Sequence, residues 1–157
     1  EVDVICQMDA DLSHDPQYLP AMAAADFDVV IGSRYAEGAE LENFPGYRAA
    51  LSRGANIYVR IITGLRARDC TSGYRCWRRS AVRQIRWDRV GAEGFAFLVE
   101  TLCEAAQAGC SIGEVPVLFV GRRHGASKLT ARVFRESLIV PWRVLMRFRR
   151  RPPQSPR

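Results

Sequence analysis

MDADLSHD, residues 8–15, comes directly after a short and nearly continuous apolar run. Such a run is typical of a parallel strand that is buried on both faces. Asp9 and Asp11 lie where this strand is expected to end, and open α/β sheets bind their ligands at that edge. The junction therefore predicts an α/β fold with a candidate site at the carboxyl end of its first strand.

Asp9 and Asp11 are candidate metal ligands. Two carboxylates one residue apart supply hard oxygen atoms for Mg²⁺ or Mn²⁺, and the ion can in turn hold a diphosphate. An Asp-x-Asp triplet alone more often caps a helix or forms a turn. Here the triplet lies between a predicted strand and a helix that begins at Asp15-Pro16, and this position favours a metal site.

The composition is that of one globular domain, with 157 residues of which 48% are hydrophobic and 25% charged. Because the chain begins inside a predicted core strand, we expect an N-terminal part of the sheet to precede it. No apolar run is long enough to span a bilayer, and no signal peptide is visible. Five cysteines without C-x-x-C spacing predict reduced, mostly buried thiols in a cytosolic protein.

Charge is divided unevenly along the chain. Residues 1–47 have a formal balance of −9, and residues 48–157 have one of +15. This segregation predicts an acidic, metal-holding part that faces a basic part in contact with anions. A nucleic-acid partner is disfavoured, because the basic residues are not interleaved with aromatic residues on a predicted sheet and no binding motif is present.

Alternating strands and helices predict an α/β sandwich with a largely parallel sheet. The pattern predicts strands at 2–8, 28–33 and 111–120, a loop at 64–76, and helices at 16–25, 47–63, 79–85, 94–108 and 129–148. Gly64 favours the end of the helix before it. Pro116 places the last strand at an edge or a bulge, and Pro141 is expected to kink the last helix.

Basic residues after the second strand form a candidate anion site. Arg34 opens onto the same cleft as Asp11 if their two strands are neighbours. Arg48 and Ser52 lie four residues apart and so share one helix face, where a guanidinium and a hydroxyl suit phosphate oxygens. Such a pair more often lies on an ordinary, solvent-exposed helix face. Arg53, next to it, is expected to point elsewhere.

Two polar loops offer further candidates. Asp69 begins DCTSGYR and contacts a sugar or a metal, or satisfies loop amides; local sequence favours the amides. RRHGASK, residues 122–128, follows the last strand and leads into a helix, which suits a phosphate but equally an ordinary surface turn. His14 and His124 have no metal-ligand spacing, and neither is interpreted as catalytic.

Six motifs stand in order along residues 3–140: DADLSHDP, DVVIGSRY, SRGAN, DCTSGYR, GEVPVLFV and RHGASK. Together they resemble the polyprenol/dolichol-phosphate mannosyltransferases, which are family 2 glycosyltransferases. The resemblance implies a GT-A (Rossmann-like) three-layer sandwich with a mostly parallel sheet, here incomplete at the N-terminus. It also implies metal-assisted transfer of mannose, with inversion, from GDP-mannose to a polyprenyl phosphate.

The resemblance assigns roles residue by residue. Asp9 and Asp11 would hold the metal and the donor diphosphate as catalytic residues, and Ser13 stands where some members have a glutamine ligand. The positions that would bind the acceptor phosphate are Arg34, Arg48, Ser52, Arg122 and Lys128. Asp69 is a candidate contact to the donor or its sugar. The chain departs from the family's F-Q-x-E stretch at Leu98 but keeps Glu100.

This chemistry agrees with the residue inventory. A phosphate monoester is already anionic at pH 7, since its second pKa is about 6, so it can attack without a general base. The enzyme then needs a metal to stabilise the leaving group and arginines to hold the nucleophile in line. The lack of a clear catalytic histidine is therefore expected.

The resemblance and the charge pattern together predict three segments. Residues 1–128 would form the catalytic and acceptor part, 129–150 an amphipathic helix, and 151–157 a disordered basic tail. An arginine-flanked apolar helix lies on an anionic membrane surface or packs on the sheet, and the sequence leaves both open. We expect a cytoplasmic protein that is peripheral at the cytoplasmic face of the membrane.

Two other functions stay open at this point. One keeps the fold and changes the donor, as in a polyprenyl-phosphate glucosyltransferase that uses UDP-glucose. The other is a catalytically inactive remnant that serves as a membrane or interaction module. Both aspartates and the candidate phosphate ligands are retained, which disfavours the remnant.

Overall fold

The structure, a computed structural model, describes residues 2–121 and 131–149. The strands are β1 (Val4–Gln7), β2 (Val29–Ser33), β3 (Glu40–Glu42), β4 (Arg75–Arg78), β5 (Ile112–Pro116) and β6 (Leu118–Val120). The helices are α1 (Leu19–Ala24), α2 (Gly46–Thr63), α3 (Arg79–Gln84), α4 (Gly94–Gln107) and α5 (Ala131–Arg149), with short 3-10 turns at Pro16–Tyr18 and Trp87–Arg89.

The main sheet is mixed, and its order is β1-β4-β2-β5. Strand β4 pairs antiparallel with both β1 and β2, whereas β2 and β5 are parallel. The expectation of a largely parallel sheet is therefore corrected, because β4 enters between β1 and β2 in the opposite direction. Strands β1, β2 and β5 still run the same way, so their carboxyl ends lie at one edge. A second, two-stranded sheet pairs β3 with β6 in parallel.

Strand β1 differs most from its sequence pattern. It was expected to be buried on both faces, but Ile5 is 43% exposed and Cys6 is exposed as well. Among the described residues β1 pairs with β4 alone, and it therefore forms an edge of the sheet. All five residues of β2, by contrast, are buried.

The predicted strand at 111–120 is divided between the two sheets. Pro116 ends β5, and after Val117 the chain continues as β6 in the smaller sheet. The break follows from the missing N–H of proline, which cannot continue a ladder of hydrogen bonds. Among the described residues β5 lies at an edge of the main sheet, as Pro116 predicted, and Pro116 is its last residue.

The core lies on both faces of the main sheet, which confirms an α/β layered architecture. The larger cluster joins β2 and β4 to α2, α4 and α5, and the smaller one packs Met22 of α1 against the opposite face. Gly64 ends α2 in the left-handed conformation, with φ 75°, as predicted. Helix α5 runs through Pro141. None of the described helices is long and apolar enough to cross a membrane.

Candidate active site

The acidic turn after β1 is held by its own hydrogen bonds. The backbone N–H and the hydroxyl of Ser13 both donate to Oδ1 of Asp11, and the N–H lies 3.1 Å away. The N–H of Asp9 donates to Nδ1 of His14 at 3.1 Å. Leu12 takes a left-handed conformation, φ 63°, and its side chain is exposed. The turn therefore fixes Asp11 half-buried while Asp9 stays exposed.

His14 anchors this turn to the fold. Its ring is buried, stacks on Tyr74 at 4.8 Å between centroids and meets the edge of Phe119 at 5.8 Å. Burial lowers the pKa of His14, although the nearby carboxylates of Asp9 and Asp11 oppose this shift. A neutral ring that accepts the N–H of Asp9 is a packing group.

Arg34 and Asp69 form a buried ion pair after β2. The guanidinium donates from Nε and Nη2 to the two carboxylate oxygens, each at 2.7 Å. The backbone N–H of Arg34 donates to the same carboxylate at 3.0 Å. Asp69 is fully buried and the side chain of Arg34 is 11% exposed. Such a bidentate contact fixes both the charge and the orientation of the guanidinium.

The pair is charged in the folded protein. Burial alone would lower the pKa of Arg34 and raise that of Asp69. The mutual hydrogen bonds and opposite charges outweigh burial, so the pKa of Arg34 is raised and that of Asp69 is lowered. Arg34 was predicted as a phosphate ligand and Asp69 as a sugar contact, and the structure brings the two together.

Asn56 ties this pair to helix α2. Its buried side-chain amide donates to Thr71 Oγ1 at 3.1 Å and to Asp69 Oδ1 at 3.4 Å, and its oxygen accepts the N–H of Thr71 at 3.3 Å. Asn56 was not among the predicted site residues. Its signal was the four-residue step from Ser52 in SRGAN, which places both residues on one helix face.

The loop over residues 68–74 is rigidly held from several sides. The carboxylate of Glu114 accepts the N–H groups of Arg68 and Asp69, at 2.8 and 3.0 Å. The fully buried guanidinium of Arg75 donates to the carbonyls of Cys70, at 2.8 Å, and Leu98, at 2.7 Å. Burial lowers the pKa of Arg75 to about 10, so it is still a cation at neutral pH.

Gly73 brings this loop against the acidic turn. A Cβ atom at that position would lie 3.1 Å from Oδ1 of Asp9, so a larger residue would press on the carboxylate. The hydroxyl of Ser72 meanwhile donates to the carbonyl of Gly32 in β2 at 2.7 Å. One loop thus connects Asp9 with the Arg34–Asp69 pair.

The remaining predicted residues lie on α2. Arg48 is exposed, and its Nε donates to the hydroxyl of Tyr47 at 3.2 Å. Ser52 is half-buried, and its carbonyl accepts the amide of Asn56 at 3.0 Å. Arg48, Ser52 and Asn56 form one row that leads from solvent to the buried pair.

Arg53 was expected to point away from the site, but it lies beside it. Its guanidinium lies 5.4 Å from the centroid of the Tyr35 ring, and Arg34 lies at the same distance from that ring. Two cations therefore share one aromatic ring, because the loop after β2 carries Tyr35 towards α2. Arg122, Lys128 and His124 lie outside the described residues.

The donor set of the acidic turn fits a hard divalent cation. Magnesium is usually bound by one or two carboxylates together with waters and substrate phosphates. Asp9 and Asp11 supply that number of carboxylates beside an open surface, and Ser13 orients one of them. Within residues 2–121 and 131–149 no three acidic, histidine or cysteine side chains come together as a complete metal cage.

Sequence comparison adds a relationship to proteins of stated activity. The chain is 38% identical over 139 residues to the undecaprenyl-phosphate mannosyltransferase of Micrococcus luteus. The aligned region covers 87% of this chain and 57% of that protein. The chain is also 37% identical over 138 residues to the polyprenol monophosphomannose synthase of Mycolicibacterium smegmatis, covering 86% and 52%. No family model matches the chain.

The chain spans about half the length of these curated relatives. Their names agree with the family that the six motifs indicated, so the predicted resemblance is confirmed. The matched length includes nearly all of this chain.

Proposed function

We propose that this chain is the catalytic and acceptor-binding part of a polyprenyl-phosphate mannosyltransferase with a GT-A fold, acting on GDP-mannose with inversion. One observation carries the proposal. The 68–74 loop joins the acidic turn at Asp9 to the Arg34–Asp69 pair, and Asn56 links that pair to Ser52, which lies one helical turn from Arg48. A carboxylate site and a cationic site therefore lie side by side, as transfer between a nucleotide sugar and a phosphate requires.

The acidic turn would bind the donor. Asp9 and Asp11 would hold Mg²⁺ or Mn²⁺, and the chemistry that such an ion supplies when bound is charge stabilisation of a diphosphate leaving group. Ser13 is buried and donates to Asp11, so it orients that carboxylate and is at most a secondary ligand. Asp9 is the more exposed of the two carboxylates, so it is the more accessible to a metal-bound diphosphate.

The cationic site would bind the acceptor. Arg48 is exposed and, among the described residues, donates a hydrogen bond only to the exposed Tyr47, so its fork would turn towards a phosphate, whereas Arg34 is held in place by Asp69. Ser52 adds a hydroxyl on the same helix face as Arg48. Arg122 and Lys128 complete the acceptor set in this proposal.

Asp69 acts through Arg34 in this account. Its carboxylate is fully buried and accepts hydrogen bonds from Arg34, Asn56 and Thr71. A direct bond to a sugar would require this carboxylate to leave its partners. The positioning role is therefore favoured over the predicted sugar contact.

The reaction needs no protein base. An oxygen of the acceptor phosphate attacks the anomeric carbon of mannose from the face opposite the diphosphate, and a new carbon–oxygen bond forms. The bond between the anomeric carbon and the diphosphate oxygen breaks, and GDP leaves with its electron pair. Attack from the opposite face inverts the anomeric centre. The arginines contribute by holding the nucleophile in line, which lowers the entropic part of the barrier.

The polyprenyl tail of the acceptor indicates where in the cell the protein acts. A polyprenyl chain resides in a bilayer, so its phosphate is presented at the membrane surface. We propose that the protein is peripheral at the cytoplasmic face, and that α5, which carries apolar side chains beside arginines, lies near that surface.

A donor panel tests the proposal. The full protein is incubated with polyprenyl phosphate and labelled GDP-mannose, UDP-glucose or GDP-glucose, with and without Mn²⁺. We expect metal-dependent lipid product from GDP-mannose, strong loss in Asp11→Asn, and full activity in Arg83→Ala, an exposed arginine on α3. Product from UDP-glucose alone would refute the proposal that GDP-mannose is the donor. No product with any donor would favour the inactive remnant.

A further inference from the structure

Two cysteines face each other across strands β1 and β4. Cys6 and Cys76 are directly opposite partners in this antiparallel pair, and their sulfur atoms lie 3.0 Å apart. Opposite residues of antiparallel strands have Cα atoms about 4.5–5.5 Å apart, which lies within the span of about 4.4–6.8 Å that a disulfide bridges. The strands therefore already hold the two thiols where a covalent bond can form with the register unchanged.

The two thiols differ in their access to solvent. Cys6 is exposed, whereas Cys76 is only 2% exposed and belongs to the smaller core cluster. The other three cysteines are buried or half-buried: Cys70, Cys103 and Cys110. A dissolved oxidant therefore meets Cys6 first. Redox-sensitive cysteines are typically accessible thiols beside a second thiol that resolves the first product, and Cys76 is placed as that second thiol.

The environment of Cys76 keeps it protonated until Cys6 has reacted. Burial, followed by the hydrogen bond and the charge of Cys6, raises the pKa of Cys76 to about 12. Once the Cys6 sulfur is part of a mixed disulfide it carries no negative charge, so its opposition to deprotonation of Cys76 is removed. Cys76 can then act as the nucleophile, because the sulfur that it attacks belongs to its own strand partner.

We propose that Cys6 and Cys76 form a reversible disulfide when the protein meets a low-molecular-weight disulfide. The Cys6 thiolate attacks one sulfur of this oxidant, and the other half leaves as a thiolate. Cys76 loses its proton to solvent and attacks the Cys6 sulfur, and the second half leaves with the electron pair of the broken bond. Two protein thiols are thereby oxidised to one disulfide, and the oxidant is reduced to two thiols. Excess small thiol reverses both steps.

The bond fixes strand β1 in the sheet. Among the described residues β1 pairs with β4 alone, so its place depends on that one ladder. Asp9 follows Cys6 by three residues, and Gly73, which abuts Asp9, precedes Cys76 by three. The disulfide thus joins the strand that leads into the acidic turn to the strand that leaves the 68–74 loop. It stands on the geometry of the two sulfur atoms and is independent of the proposed function.

Oxidation with glutathione disulfide, followed by peptide mapping, tests the assignment. The reduced full chain is incubated with this oxidant at mildly alkaline pH and quenched with acid. The remaining thiols are blocked with N-ethylmaleimide in denaturant, and the protein is digested with trypsin. Trypsin cuts after Arg34, Arg75 and Arg78, so Cys6 and Cys76 fall on separate peptides that contain no other cysteine. We expect mass spectrometry to find these two peptides joined, and the number of blockable thiols to fall from five to three.

Three variants separate the two steps. Cys76→Ser should stop at the mixed disulfide, with glutathione bound to Cys6. Cys6→Ser should keep every remaining thiol blockable under the same conditions, because its accessible thiol is gone. Cys110→Ser is the matched control, since Cys110 is half-buried and lies outside β1 and β4. This control should form the same disulfide as the wild type.

Urea denaturation supplies a second readout. A disulfide restricts the unfolded chain, so the oxidised wild type should unfold at a higher urea concentration than the reduced protein, and Cys76→Ser should show no such shift. An equal or lower midpoint after oxidation would show that the native strands do not accept the bond. Five thiols still blockable, glutathione that stays on Cys6 in the wild type, or a bond from Cys6 to any other cysteine would each overturn the proposal.

Discussion

Replacing Asp69 by asparagine would leave the guanidinium of Arg34 buried without its counter-charge. In the native structure the carboxylate accepts two hydrogen bonds of 2.7 Å from this guanidinium and a third, of 3.0 Å, from the backbone of Arg34. Removing one partner of a buried ion pair costs about 3–5 kcal/mol, because the remaining charge is desolvated and unpaired. Asp69→Asn should therefore lower the free energy of unfolding by about that amount.

Urea denaturation followed by circular dichroism measures this loss. Linear extrapolation gives the free energy of unfolding in water, and an unchanged slope would show that the transition is comparable. Asp88→Asn is the matched control, because Asp88 pairs with Arg86 on the exposed surface, and it should leave the unfolding midpoint unchanged. Combining Asp69→Asn with Arg34→Gln removes the charge and should recover part of the loss.

The same pair gives a pH dependence with a fixed sign. The folded pKa of Asp69 is below its ordinary value of 3.8, so the unfolded chain takes up the proton first on acidification. The stability from this carboxylate is complete above pH 3.8 and is lost as pH falls through the folded pKa. The difference between wild type and Asp69→Asn should shrink in that window. A difference below about 1 kcal/mol at neutral pH would refute the buried pair.

Three further results are expected. Because burial lowers the pKa of His14, the free energy of unfolding should fall as pH drops below 6.5. In urea titrations, His14→Gln should make this free energy depend less on pH. An unchanged pH dependence in His14→Gln would contradict the buried ring. Arg48→Ala should change the melting temperature little, since Arg48 is exposed, and a large drop by calorimetry would show a structural role. Cys6 is exposed, whereas burial raises the pKa of Cys70 and Cys103 to about 12, so iodoacetamide at pH 8 should label Cys6 first by mass spectrometry; early labelling of Cys70 contradicts the packing.

Much of the fold could be predicted because its signals are local. The apolar run of β2 and the end of α2 at Gly64 can each be predicted from residues that are adjacent in sequence. Strand β4 could not be predicted, because Arg75 and Arg78 in it are typical of surface positions. Arg75 is buried because the carbonyls of Cys70 in its own loop and of Leu98 accept hydrogen bonds from its guanidinium, and Leu98 is distant in sequence.

In the candidate site, too, the local features could be predicted from the sequence and the long-range contacts could not. Asp9 and Asp11 were identified from their position after a strand, which is a local feature. The partnership of Arg34 with Asp69 spans 35 residues, and Asn56 joins it from a third element. Neither sequence periodicity nor residue type identifies such a contact, since it depends on how β4 is inserted into the sheet.

In the proposed function the acidic turn binds the donor and the α2 row binds the acceptor of one reaction. Steady-state transfer of mannose, measured with each substrate varied in turn, tests it most directly. We expect Arg48→Ala to raise the KM for polyprenyl phosphate at least tenfold and to leave the KM for GDP-mannose unchanged. Asp11→Asn should instead raise the Mn²⁺ concentration needed for half-maximal rate. Equal effects of both variants on both substrates would contradict the division of the site.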